Sequence, residues 1–161
     1  MSAQTLIHTL ADLARIAGRT LNVATGAQRK AALLRGVVDM HEAEALVDAL
    51  AAELGVRAAR SADNFADCDV VVLCVSLDID LIENANALAD VLKRGALVID
   101  HTTVAVESAR RAAAALAAHD IAFVDAPVSG GVEGARNGKL SVMAGGDADA
   151  VERARAVLDC Y

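Results

Sequence analysis

The chain has 161 residues, 55% of them hydrophobic but only 2% aromatic, and a net charge of −7. That length supports one domain with a real core, which has to be aliphatic and alanine-rich. The acidic balance speaks against nucleic-acid and anionic-membrane partners, and no apolar run is long enough to span a bilayer.

No basic segment followed by an apolar stretch opens the chain, so no secretory leader is expected. The cysteines Cys68, Cys74 and Cys160 show neither CxxC nor metal-ligand spacing. An odd count without a framework fits a reducing, cytoplasmic location. Cys68 and Cys74 read as packing residues rather than nucleophiles.

In chain order, residues 3–18 read as an amphipathic helix, with Leu6, Leu10, Leu13 and Ala17 at helical spacing. Residues 20–24 form a weak strand. Residues 42–54 read as a helix closed by Gly55, and 56–60 as a short strand. Ser61 is placed to cap a brief helix over 62–66. Residues 69–75 are apolar after the first position, the pattern of a fully buried strand. A helix over 78–93 follows, with Lys93 and Arg94 at its negative end and Gly95 stopping it. A strand over 97–100 leads into His101, Thr102 and Thr103, then an alanine-rich helix over 105–119. Strands over 121–124 and 140–144 and a last helix over 148–158 complete the pattern. Strands alternating with helices predict an α/β fold: a doubly wound, largely parallel sheet with helices on both faces.

The most informative stretch runs from Asp125 to Asp147. It holds the single proline, Pro127, and six of the eleven glycines. It leaves a predicted strand at the end where open α/β sheets bind their ligands. Ser129 offers a hydroxyl beside the unhindered amides of Gly130 and Gly131, a donor set suited to a carboxylate. Ser129 also has a plainer reading as a turn-stabilising serine, and Thr102 and Thr103 as caps for the helix that follows. His101 reads as a solvent-facing loop residue, Asp125 as a strand-end turn residue, and Lys139 as a surface lysine.

The run Asp125-Ala-Pro-Val-Ser-Gly-Gly131, with Gly134-Ala135, Gly138, Leu140, Met143 and Gly145-Gly146, resembles the β-hydroxyacid dehydrogenases. That family includes 3-hydroxyisobutyrate dehydrogenase and 2-hydroxy-3-oxopropionate reductase. The strand ends at 69–75 and 98–103 are similar to those that line the nicotinamide nucleotide there. The likeness runs well over about 45–160 and weakly before that. It implies an oxidoreductase with a Rossmann-like NAD(P)-binding domain over 1–161 whose first βα unit is incomplete. It implies Ser129, Gly130 and Gly131 at the substrate carboxylate, and Val75, Ser76, Thr102 and Thr103 along the cofactor. The family's GxGxxG turn and its catalytic lysine, in a GxxxKxxNN-like helix, have no counterpart in the 161 residues. Nor has its helical second domain. Little or no turnover by the chain alone, and self-association through bared apolar surface, are therefore expected.

The cofactor is NAD or NADP. No acid follows the strand at 20–24, and Arg29 or Lys30 would meet a 2′-phosphate, which leans toward NADP. Two other classes stay open: a non-catalytic nucleotide-binding or assembly module, and a helix-turn-helix regulator starting at 9–18. The β-like residues after Gly18 and the acidic charge oppose the regulator.

Overall fold

The computed structural model describes Ala51, Ala52, Ala59 and residues 61–75 and 77–161. The helix expected over 3–18, the strands over 20–24 and most of 56–60, Arg29, Lys30 and Ser76 lie outside the described residues. So does most of the helix over 42–54, although Ala51 and Ala52 are helical.

Among the described residues three strands pair in parallel: β1 (Val70–Leu73), β2 (Leu97–Asp100) and β3 (Ala122–Asp125). Their order is β1-β2-β3, and β6 (Gly145–Gly146) closes the sheet antiparallel to β3. Helix α1 (Asp78–Val91) crosses from β1 to β2, and α2 (Val106–Ala117) from β2 to β3. Helix α4 (Ala148–Leu158) follows β6. The segment before it holds β4 (Val128–Ser129), α3 (Gly131–Arg136) and β5 (Ser141–Val142), with β4 and β5 paired as a separate antiparallel ribbon.

Side-chain alternation along the strands divides the core between the two faces of the sheet. Val71, Leu73 and Val98 pack with Leu81, Leu88, Ala112 and Leu116 of α1 and α2. Leu97, Ile99 and Val124 pack with Ala150 and Ala154 of α4. All four residues of β2 are buried, which is why it reads as a continuous apolar run until Asp100. Alanines on the inner faces let the helices approach the sheet closely.

Several boundaries differ from the sequence reading. Helix α1 ends at Val91, not Lys93, because Leu92 is already extended. The two basic residues serve other contacts: Lys93 pairs with Asp69, and Arg94 with Asp120. The strand read over 140–144 is the two-residue β5, and it joins the ribbon rather than the main sheet. Ser61 does precede a short helix, a 3-10 turn over Ala62–Phe65. Helix α4 is capped by Asp147, whose carboxylate accepts the Asp149 amide at 3.0 Å.

Candidate functional site

The registers Leu73↔Asp100 and Asp100↔Asp125 bring the C-terminal ends of the three parallel strands level. The backbone continues that alignment outward. The His101 amide donates to Leu73 O at 2.8 Å, and the Ala126 amide to Asp100 O at 2.7 Å. Val75, Asp100 to Thr103 and Asp125 to Pro127 therefore share one end of the sheet.

Val75 and Thr102 are brought into direct contact: the Val75 amide donates to Thr102 Oγ1 at 3.0 Å. Thr102 is buried, and it donates to Asp100 Oδ1 through its hydroxyl at 2.5 Å and its amide at 3.0 Å. Its hydroxyl thus points into the protein, whereas Thr103 is exposed. Neither threonine caps α2. The N-cap is Ala105, whose amide donates to Asp78 Oδ1 at 2.8 Å. A hydrogen bond from Ser108 and that amide hold the Asp78 carboxyl below its ordinary range. Asp78 thereby ties the start of α1 to the start of α2, a role that an acid opening a helix did not disclose in the sequence.

Asp100 is fully buried, and its Oδ2 has no hydrogen-bond partner. Burial lifts its carboxyl to about 6; the Thr102 hydrogen bonds oppose the rise and the Asp125 charge adds to it. Asp125 itself is pushed upward by burial.

His101 is buried, 5% exposed, and not the solvent-facing residue expected from the sequence. Its Nδ1 lies 2.7 Å from Ala126 O and so carries the hydrogen. Nε2 is then the acceptor for the Tyr161 hydroxyl at 2.6 Å. Burial lowers the His101 pKa and raises that of Tyr161. The pair pins the end of α4 to the strand ends. The pairing was not legible in the sequence, because a lone histidine after a strand and a tyrosine 60 residues later carry no spacing signal. Cys74 is pushed up to about 11 by burial and the Asp100 charge, so it is a thiol and not a nucleophile.

Beyond Pro127 the chain forms β4 and turns at Ser129 into α3. Ser129 is exposed on β4, opposite Ser141. Gly130 has φ +129° and is the N-cap of α3; Gly131, at φ +59°, is its first residue. The first amides of a helix have no intrahelical acceptor, which leaves donors at this turn. A Cβ on Gly130 would lie 3.1 Å from Leu140 Cδ2 and one on Gly134 3.2 Å from it, so Leu140 packs against bare backbone. Lys139 is exposed.

An open, mostly apolar groove of about 410 Å³ lies between α2 and the β3–β6 edge of the sheet, lined by Val106, Ala109, Phe123, Asp125 and Gly146 among others. Ser129, Gly130, Gly131, Val75 and Thr103 are not among its walls. Among the described residues no group of three His, Cys, Asp or Glu side chains is arranged to hold a metal ion, and no helix is long and apolar enough to cross a membrane.

Comparison with known proteins gives a consistent result. The family model for the NAD binding domain of 6-phosphogluconate dehydrogenase matches residues 26–161. The NAD-dependent L-serine dehydrogenase of Pseudomonas aeruginosa is 40% identical over 134 residues, which is 81% of this chain and 44% of that protein. The 3-hydroxyisobutyrate dehydrogenase of the same organism is 54% identical over 63 residues, 39% of this chain and 21% of that one. The structure of the Mycobacterium tuberculosis 3-hydroxyisobutyrate dehydrogenase with L-serine superposes with a TM-score of 0.76 at 29% identity, covering 96% of this chain and 47% of that one. The chain spans less than half the length of these relatives.

Proposed function

The chain belongs to the family of the NAD binding domain of 6-phosphogluconate dehydrogenase, and from that premise we propose that it serves an NAD- or NADP-dependent β-hydroxyacid dehydrogenase, as the nucleotide-binding part with one half of the substrate site. The observation that carries this reading is the Ser129-Gly130-Gly131 turn, which follows the third of three level, parallel strand ends.

The strand ends suit the nicotinamide half of a dinucleotide. Half-buried Val75 gives an apolar surface, and the exposed hydroxyl of Thr103 suits a ribose. Thr102 supports Val75 from beneath. The resemblance implies a cofactor contact for Ser76 as well. The bound cofactor supplies the hydride acceptor or donor for reversible oxidation of the hydroxyl-bearing carbon.

The chain's own residues do the positioning. Ser129 and the Gly130 and Gly131 amides hold the substrate carboxylate, which fixes where the hydroxyl-bearing carbon lies. This reading extends to a small β-hydroxyacid such as L-serine or 3-hydroxyisobutyrate, the compounds in the names of the relatives. The leaning toward NADP rests on Arg29 or Lys30.

The test is calorimetric titration of the purified chain with NAD and NADP, then with L-serine and 3-hydroxyisobutyrate in the presence of the cofactor. Binding of one cofactor, followed by binding of a hydroxyacid that Ser129→Ala weakens about tenfold without altering cofactor affinity, is expected. Failure of both cofactors to bind would overturn the proposal. Cofactor binding with no hydroxyacid response would instead favour a nucleotide-binding module without this chemistry.

A further inference from the structure

Three hydrogen bonds at the sheet end run in a fixed direction. The Val75 N–H donates to Thr102 Oγ1 at 3.0 Å. The Thr102 hydroxyl hydrogen goes on to Asp100 Oδ1 at 2.5 Å, and the Thr102 amide donates to the same oxygen at 3.0 Å. Asp100 is 0% and Thr102 4% exposed, so this relay is shielded from water. Strand β1 ends at Leu73, where the paired register also ends. Val75 lies two residues further on, and its amide is held by a side chain in place of a neighbouring strand.

A fully buried carboxyl with one bare oxygen, Oδ2, is a costly way to fill space. Its constructive contacts in the structure are those on Oδ1. We infer that Asp100 and Thr102 are positioning residues for the cofactor: their relay holds the Val75 backbone in the shape that receives the nicotinamide half. This inference rests on the cofactor reading above. It assigns to Thr102 an indirect role and leaves direct contact to Val75 and Thr103.

The experiment compares the 161-residue chain with Thr102→Val, which keeps the shape and removes the hydroxyl, and Thr102→Ser, which keeps the hydroxyl. Affinity for NAD and NADP is measured by calorimetry, and amide hydrogen exchange by NMR. Thr102→Val is expected to weaken cofactor binding about tenfold, the effect of one lost hydrogen bond of typical strength. Its Val75 amide exchanges faster, while the Val98 and Ile99 amides of β2 stay protected. Thr102→Ser restores affinity to within about twofold. A folded Thr102→Val variant with wild-type affinity overturns the inference and leaves the cofactor reading standing. A wild-type chain that binds neither cofactor overturns both. Should Thr102→Val not fold, wild-type exchange decides: saturating cofactor must slow Val75 exchange more than that of Val98 and Ile99, and an unchanged Val75 rate overturns the inference.

Discussion

Replacing Asp100 by asparagine should change how stability depends on pH, and by a calculable amount. The wild-type carboxyl is raised from 3.8 to about 6, chiefly by burial. At 1.36 kcal/mol per pKa unit, a rise of that size corresponds to about 3 kcal/mol. The folded state binds the proton more tightly than the unfolded state does. This stabilising proton is therefore fully present below pH 3.8 and is lost as pH rises through about 6. Asparagine has no such titration. It keeps an Oδ1 for the two Thr102 donors, but its amide nitrogen takes the place of the unpartnered Oδ2, at a cost of about 1 kcal/mol. The variant should be less stable than wild type near pH 3 by about 1 kcal/mol and more stable near pH 7 by about 2 kcal/mol. Titrating groups that do not interact with Asp100 are common to both proteins and cancel in the difference; of those that do, Cys74 stays a neutral thiol over this range, and Asp125 loses a charge beside it. Urea unfolding followed by circular dichroism across that range measures it. Parallel pH profiles, or an asparagine variant that loses stability relative to wild type as pH rises, would refute the account of Asp100 as a buried, under-compensated carboxylate.

Gly146→Ala should destabilise by about 2–4 kcal/mol, because its φ is +156° and the new Cβ would lie 2.9 Å from Phe123 O; thermal melting checks this. Tyr161→Phe leaves His101 Nε2 without its donor and should cost about 1 kcal/mol in the same assay. Because burial lowers the His101 pKa, its contribution is complete above the ordinary 6.5 and is lost on acidification below that, a dependence that His101→Gln should flatten. With Cys68 and Cys160 changed to serine, Cys74 should react with a disulfide reagent at pH 8 about a hundredfold more slowly in the folded than in the urea-unfolded chain. The thiol has moved from 9.0 to about 11, which removes thiolate in that proportion.

The alternation of buried runs and alanine-rich helices was legible because a strand covered on both faces is apolar throughout, whereas a helix is apolar along one stripe. Leu97 to Ile99 and the alanines of α2 behave as their periodicity requires. The interior of the glycine-rich segment was not legible. Two-residue strands such as β4 and β6 are made by pairing with residues distant in sequence, and a glycine pair carries no strand propensity. That the strand ends lie together was legible, but the direction each side chain takes was not. Adjacent threonines look alike in sequence, and only the parallel register puts Thr102 under Val75 and leaves Thr103 in solvent. His101 was misplaced for the same reason. Its burial depends on Ala126 and on Tyr161, 60 residues later.

The glycines of Asp125 to Asp147 divide by what surrounds them, and that division isolates the one at which ligand binding can be tested. Gly130, Gly134 and Gly146 sit where a Cβ would crowd Leu140 or Phe123, so packing alone accounts for them. Gly131 and Gly138 have nothing within 4 Å, and their φ values are nearly equal at +59° and +60°. Alanine at either should therefore cost the fold about the same, roughly 1 kcal/mol for a left-handed residue. They differ in place: Gly131 adjoins Ser129 at the first turn of α3, whereas Gly138 lies beyond its last. A carboxylate seated on the Ser129 turn would meet the Gly131→Ala methyl and not the Gly138→Ala one. Titration of both variants with L-serine, in the presence of cofactor, should show an affinity loss of about tenfold or more for Gly131→Ala and less than about twofold for Gly138→Ala. Equal losses would mean that the turn responds only to strain, and Ser129-Gly130-Gly131 would be left as a structural corner with no ligand to hold.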